Sequence, residues 1–340
     1  MKFIHLAGGV DSGHECLRGT SLYSTVSTGL KIISHPLHRI AIVFNPCAGG
    51  LKGTRRVRLD RAVEVFRAAG RDVTLYPTEA ANQAGALAQE AVAAGCDLLL
   101  AAGGDGTINE AVNGLAGTRT VFGALPAGTA NVLANEVGLP NRPDHAAKYL
   151  LDAVPTRISL GALDVPGKPR RYFVLMAGVG LDARIVNELD LTLKKKVGKL
   201  AYWHGGMRQL GRSVERFLVR IDGREMDASF VLATRVRNYG GDFEIARNIR
   251  ITDPDFEIVV FQRHEWHDYL RFLGAVVANR LSRTDGVMVC RATKAEFMAL
   301  PEQPVHIQTD GEALGLIPAT ITAVPDALTL LLPKRYAEGE

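Results

Sequence analysis

Four short apolar runs mark the first half of the chain, at residues 40–44, 73–76, 98–102 and 121–125, each flanked by turn-forming residues. A run of that length reads as a strand buried on both faces, the pattern of a parallel sheet. Helical periods lie between the runs. Residues 56–69 place Leu59, Val63 and Phe66 on one face. Residues 82–94 are rich in Ala with Gln and Glu, all good helix formers apart from Gly85. Ile108, Ala111, Val112 and Leu115 follow the i, i+3, i+4, i+7 spacing of an amphipathic helix. Strand and helix in alternation predict a parallel sheet with helices on both faces.

The pattern changes near residue 157. Short alternating strands then dominate, at residues 157–163, 172–178, 217–221, 229–235, 257–261, 286–292, 305–309 and 328–332, with helical stretches near 185–210 and 266–281. This predicts an antiparallel β domain, a sandwich. Residues 1–37 show no clear period and read as an N-terminal extension. The expected organisation is an α/β domain over 38–156 followed by a β-sandwich domain over 157–335. A length of 340 residues suits two domains, since one usually takes roughly 100–200.

Composition narrows the function classes. Hydrophobic residues make up 47% of the chain, enough for two cores, and charged residues 22%, which argues against disorder. The net charge of +4 suits an anionic substrate or an anionic membrane surface. No basic tract is interleaved with aromatics, which speaks against nucleic acid. Cys16, Cys47, Cys96 and Cys290 form no CxxC pair and read as free thiols of a reducing cytoplasm. No stretch approaches the roughly 20 apolar residues of a membrane span, and His, Asp, Glu and Arg interrupt the N-terminus too early for a signal peptide.

The chemistry gathers where strands run into helices. Residues 98–102 lead into Gly103-Gly104-Asp105-Gly106-Thr107, and a helix follows at once. Helix starts expose unpaired N–H groups and the positive end of the dipole, which favours phosphate. The glycines let backbone approach a ligand closely. Thr107 and Glu110 have capping-box spacing, which would fix where the helix begins. Asp105 would act through Mg²⁺ or contact a ribose or substrate hydroxyl. A second junction, Pro126-Ala127-Gly128-Thr129-Ala130-Asn131, and a third loop, Asn45-Pro46-Cys47-Ala48-Gly49-Gly50, fall at the ends of neighbouring strands. Ligands of such sheets bind in that crevice. Arg55, Arg56 and Arg58 follow the third loop and could neutralise phosphate charge.

These loops together resemble the diacylglycerol kinase catalytic domain, in its branch of soluble bacterial lipid kinases. The resemblance rests on Asn45-Pro46 with Gly49, on residues 103–110 with Val112-Asn113-Gly114-Leu115, and on residues 125–131. It continues through Gly178-Val179-Gly180-Leu181-Asp182-Ala183 and Gln308-Thr309-Asp310-Gly311-Glu312. It implies an N-terminal α/β nucleotide-binding domain followed by a C-terminal β-sandwich, with the active site in the cleft between them. It further implies ATP contacts from Asn45, Gly49, Thr78, Gly103, Gly104, Asp105, Gly106, Thr107, Ile108, Asn109, Gly128, Thr129 and Asn131. Mg²⁺ would accompany the ATP, with Asp105 organising the metal or its waters.

The resemblance makes Glu312 the general base on the acceptor hydroxyl, with Asp310 beside it. A carboxylate on a turn can accept that proton as the oxygen attacks phosphorus, and phosphoryl transfer asks little of a base. On spacing alone, Asp310-Gly311 equally fits a plain hairpin turn. The resemblance also implies a structural Mg²⁺ site, with the Asp253 carboxylate and the Arg250 and Asp255 carbonyls as ligands. The chain departs from the family pattern there, because Thr252-Asp253-Pro254 stands in place of Asp-Asp-Gly. Proline fixes φ and removes a donor.

Lys194, Lys195, Lys196 and Lys199, beside Tyr202 and Trp203, suit a basic helix resting on anionic lipid or an ordinary solvated helix. The expected function is transfer of the ATP γ-phosphoryl group to a lipid hydroxyl, diacylglycerol by default, by a cytoplasmic enzyme peripheral at the inner face of the membrane. A homodimer is compatible with this reading. The alternatives are a kinase for a soluble acceptor of NAD kinase type and a non-catalytic nucleotide or lipid sensor.

Overall fold

The four apolar runs are strands β1 (Arg39–Phe44), β2 (Asp72–Pro77), β3 (Leu98–Gly103) and β4 (Val121–Pro126). The computed structural model describes residues 37–180, 215–239, 243–277, 280–301 and 304–339. The basic stretch at Lys194 to Lys199, the continuation Leu181-Asp182-Ala183 and the N-terminal extension lie outside the described residues, save for Leu37.

The four strands pair in parallel in the order β2-β1-β3-β4. They alternate with α1 (Val57–Ala68), α2 (Ala84–Ala93) and α3 (Asp105–Leu115). The order reverses between β1 and β3, so right-handed crossovers place α1 on one face and α2 and α3 on the other. Helix α2 packs against α3, and α1 against α5 (Pro143–Leu151), which follows the short α4 (Val132–Glu136). Gly85 now has its reason. A Cβ on Gly114 would stand 2.3 Å from the Gly85 carbonyl oxygen, so α2 and α3 touch backbone to backbone.

The second half comprises β5 (Val154–Asp164), β6 (Arg171–Phe173), β7 (Met176–Gly180), β8 (Phe217–Ile221), β9 (Arg224–Ala228) and β10 (Phe230–Thr234). The two-residue strands β11 (Asn238–Tyr239) and β12 (Phe243–Glu244) precede β13 (Phe256–Phe261) and α6 (Trp266–Val277). There follow β14 (Val287–Ala292), β15 (Lys294–Ala299), β16 (His306–Thr309), β17 (Glu312–Leu316), β18 (Ala319–Leu332) and α7 (Lys334–Glu338). An antiparallel sheet of order β14-β13-β10-β7-β16-β17 faces β5, β8, β15 and β18 across a core that includes Phe173, Phe217, Val231, Phe256, Phe297 and Ile321. Phe173 stacks on Phe256 at 5.7 Å in that core. This is the expected α/β half followed by a β-sandwich.

The 14-residue β18 joins the two halves. It pairs antiparallel with β5 and β15 and parallel with β4, so one sheet runs from β2 into the sandwich. The sequence shows only its last five residues as a strand, because Pro325 and Asp326 read as breakers. The register shift between Val324 and Leu328 absorbs them.

Two local expectations fail. Residues 172–178 form two strands, because the N–H groups of Val174 and Leu175 turn to the Asp310 carboxylate instead of continuing a ladder. The capping box is also absent. Helix α3 starts at Asp105 with Gly104 as its N-cap, which places Thr107 inside the helix. Glu110 instead accepts from the N–H groups of Asn82 at 3.2 Å and Ala84 at 3.0 Å, so it caps the neighbouring α2.

Candidate functional site

The loops after β1, β3 and β4 meet at the carboxyl ends of their strands, beside the point where the strand order reverses. They are tied through their backbones. Asn45 N–H donates to the Ala102 carbonyl at 3.0 Å, Gly50 N–H to Ala127 at 2.8 Å, and Ala127 N–H to Gly103 at 2.8 Å. Thr78 N–H donates to the Phe44 carbonyl at 2.9 Å, which holds the end of β2 alongside. A Cβ on Gly128 would stand 2.5 Å from the Gly104 Cα. Two glycine backbones in contact form the floor of a cradle. Around it, Gly49 and Thr129 are exposed, while Thr78, Gly104, Gly106 and Thr107 are half-buried.

Several predicted contacts build the cradle rather than line it. Asn45 Oδ1 accepts from Cys47 N–H at 2.9 Å and shapes its own loop. Asn131 is buried, with φ of 48°. Its Oδ1 accepts from Gly128 N–H at 2.8 Å, and its Nδ2 donates to the Gly128 carbonyl at 3.2 Å. The Gly128 N–H is thus engaged, and this residue serves by lacking a side chain. Ile108 is fully buried in the α/β core. Arg55 donates to the Gly49 carbonyl at 2.9 Å, and Arg56 stacks over Phe44 at 4.2 Å.

Asp105 turns its carboxylate to the first turn of α4. Oδ1 lies 3.5 Å from Leu133 N–H. Burial pushes this carboxyl above its usual value, and the N–H groups of Leu133, Val132 and Asn131 and its own oppose the shift. Asp105 therefore clamps the loop after β4 onto the glycine loop.

Asn109 is fully buried and turns to the sandwich half. Its Nδ2 donates to Asp310 Oδ2 at 2.5 Å and to the Tyr172 carbonyl at 3.2 Å. One turn later, Asn113 takes both backbone groups of Tyr172, accepting its N–H at 2.8 Å and donating to its carbonyl at 2.9 Å. Helix α3 thus grips β6, bringing the sandwich to the glycine loop.

Asp310 and Glu312 sit on the turn between β16 and β17. Asp310 and Gly311 have φ of 48° and 81°, and Thr309 pairs with Glu312. The Asp-Gly hairpin turn is real, and it carries the site as well. Asp310 Oδ2 also accepts from Val174 N–H at 3.0 Å, while Oδ1 accepts from Leu175 at 3.0 Å and Met176 at 2.9 Å. Burial of the carboxyl outweighs these donors and pushes its pKa up to about 6. Glu312 Oε2 accepts from Arg171 Nη2 at 2.6 Å, in a pair with side chains 26% and 31% exposed. Oε1 faces the glycine loop, 3.6 Å from where a Cβ of Gly106 would be.

Arg171 is the residue that sequence reasoning missed. Nothing in the sequence distinguishes it from Arg170, which pairs with Asp164 at the surface. Its Nε is buried without a hydrogen-bond partner among the described residues.

The donor set expected for a structural metal is engaged by N–H groups. The Arg250 carbonyl accepts from Asp253 N–H at 2.9 Å, and the Asp255 carbonyl from Arg235 at 3.2 Å. Asp253 Oδ2 accepts from Arg250 N–H at 3.0 Å and from Arg291 at 3.0 Å. Burial lowers the Arg235 guanidinium to about 10, with Asp253 and Asp255 opposing the shift. Among the described residues, no helix is long and apolar enough to cross a membrane.

Known proteins resemble the chain along most of its length. Residues 39–163 match the family model described as diacylglycerol kinase catalytic domain, and residues 176–332 match a YegS C-terminal NAD kinase beta sandwich-like domain. The chain is 30% identical to a diacylglycerol kinase of Mycobacterium tuberculosis strain H37Rv, over 88% of this chain and 97% of that one. It is 27% identical to a diacylglycerol kinase of Bacillus subtilis strain 168, over 89% and 99%. The crystal structure of a diacylglycerol kinase from Bacillus anthracis str. Sterne superposes with a TM-score of 0.70 at 23% identity, covering 87% of this chain and 98% of that one.

Proposed function

The chain belongs to the diacylglycerol kinase family, and from that premise we propose that it is an ATP-dependent lipid kinase, converting diacylglycerol to phosphatidic acid. The observation that carries this reading is Glu312 Oε1 against Gly106, a carboxylate of the sandwich half facing the glycine loop of the α/β half. The boundaries 38–156 and 157–335 belong to the same proposal, with the substrates meeting between the two halves.

The cradle suits a polyphosphate, because the Gly128 and Gly104 backbones meet there without side chains and let phosphate approach the main chain. The N–H groups at the start of α3 and the Thr107 and Thr129 hydroxyls would hold phosphate oxygens. Asn45, Gly49 and Thr78 flank them. Mg²⁺ bound with the nucleotide would neutralise phosphate charge, and Asp105, the carboxylate within the loop, holds the surrounding backbone in place.

Glu312 accepts the acceptor hydroxyl proton on Oε1 as the hydroxyl oxygen bonds to the γ-phosphorus and the bond to the β–γ bridging oxygen breaks, releasing ADP. Arg171 holds Oε2, which aims Oε1, and presents positive charge where the transferring group passes. Asp310 fixes the turn through three N–H groups of the β6–β7 junction and through Asn109. A lipid acceptor places the enzyme at the cytoplasmic face of the membrane as a peripheral protein.

The test is transfer from γ-labelled ATP to diacylglycerol in mixed micelles, with NAD as the competing soluble acceptor. Labelled phosphatidic acid is the expected product. Labelled NADP with unlabelled lipid would move the chain to the soluble-acceptor class.

A further inference from the structure

We propose that the turn of residues 250–255 is closed by two guanidinium groups, Arg235 and Arg291, standing where a divalent cation would bind, so that this half of the fold needs no metal ion.

Arg235 follows β10 and is fully buried. Its Nη2 donates to the carbonyls of Ile251 at 2.8 Å and Asp253 at 3.0 Å, and its Nη1 to that of Asp255 at 3.2 Å. Carbonyl oxygens converging on one buried positive group are the ligand pattern of a hard cation. Here the planar fork of an arginine fills it. Arg291, on β14, serves the carboxylates. It donates to Asp253 Oδ2 at 3.0 Å and contacts both oxygens of Asp255. It also donates to the Asn248 carbonyl.

Two carboxylates are thus matched by two guanidinium groups, the same charge as one divalent ion. The Arg250 and Asp255 carbonyls and Asp253 Oδ2 each have an N–H directed at them. A cation taking the Asp255 carbonyl and the Asp253 carboxylate would compete with the buried Arg235 for the one and with Arg291 for the other, and weakening the partners of a buried charge is strongly disfavoured.

The brace has a route to the catalytic loop. Ile251 N–H donates to the Tyr336 hydroxyl at 3.1 Å, and that hydroxyl donates to Glu136 Oε1 at 2.8 Å. Glu136 lies on α4 and also accepts from Arg237 N–H at 2.9 Å. The first turn of α4 faces Asp105 of the glycine loop. A turn held by arginines therefore supports the phosphate cradle without a metal.

The inference is tested on the full chain without nucleotide, by following the thermal midpoint as Mg²⁺ or Mn²⁺ is titrated against an EDTA-treated sample. The expected result is the same midpoint throughout. A saturable rise of about 5 °C, the size expected when a folded state gains a well-filled site, would overturn it. In a second arm, Arg291→Met should lower the midpoint by several degrees, because Asp253 and Asp255 lose their partner. A variant that unfolds at the wild-type midpoint contradicts the brace. The metal titration of the wild type decides the matter even if the variant does not fold. Neither arm depends on the identity of the phosphoryl acceptor.

Discussion

Glu312 and Arg171 form a 2.6 Å ion pair that leaves the other carboxylate oxygen of Glu312 facing Gly106. One residue comes from the turn between β16 and β17, the other from β6. The pair divides the work of the carboxylate, with one oxygen held and the other presented to the glycine loop.

Replacing Glu312 by Gln keeps the shape and removes the proton acceptor. General-base catalysis contributes typically 10²–10⁴-fold, so kcat should fall by roughly that factor while ATP affinity, read by calorimetry, stays unchanged. Equal kcat in the two proteins would remove Glu312 from the base role.

Arg171→Ala should lower kcat by about 10²-fold, the scale of losing one oriented donor in a reacting site, and Arg171→Lys should recover only part of it. The KM for ATP should move far less, because Arg171 acts on Glu312 and the transferring group. A variant that raises KM with unchanged kcat would make Arg171 a ground-state binding residue.

Asp310 predicts a dependence on pH. Its carboxyl is raised from 3.8 to about 6 in the folded protein, with burial as the main cause. The native state therefore holds the proton more tightly than the unfolded chain. The contribution to stability is full below the unfolded value and is lost as pH rises through the folded one. It amounts to about 3 kcal/mol over that window at 1.36 kcal/mol per unit. Asp310→Asn should abolish this slope in the free energy of denaturant unfolding. Each Asp310 oxygen accepts from two donors, so the new amide nitrogen must oppose two of them, and overall stability should fall by about 3 kcal/mol. Parallel pH curves for the two proteins would contradict the assignment.

The cradle predicts a steric phenotype. Gly128→Ala puts a methyl group 2.5 Å from the Gly104 Cα. The two loops must part, and ATP affinity should drop more than about tenfold, which takes only ~1.4 kcal/mol of lost interaction. The far-UV spectrum should remain native. Unchanged affinity would show that the contact is incidental.

Much of this was legible in the chain. The strand–helix alternation and the three glycine loops follow from period and motif, while the place of Asp310 and Glu312 in the site rests on the family resemblance. What stayed hidden depends on contacts distant in sequence. Glu110 looks like a cap for its own helix, yet its carboxylate serves α2, because α2 and α3 cross at Gly85 and Gly114. Val174 and Leu175 look like strand, but their N–H groups belong to Asp310, more than a hundred residues away. Arg171 looks like any surface arginine until β6 is placed beside β17. The 250–255 turn looks like a metal loop, and the arginines that engage it, Arg235 after β10 and Arg291 on β14, come from distant parts of the chain. A local pattern identifies the element, while the partner of a charged side chain is set by topology.

The central claim is that the phosphoryl acceptor is a lipid and that Glu312 activates it. The most direct measurement is transfer from γ-labelled ATP to a total lipid extract, run in parallel with wild-type protein and Glu312→Gln, with mass identification of the product. A labelled, chloroform-soluble phospholipid is expected with the wild type and almost none with the variant. Label confined to water-soluble products, or equal lipid labelling by both proteins, would contradict the claim.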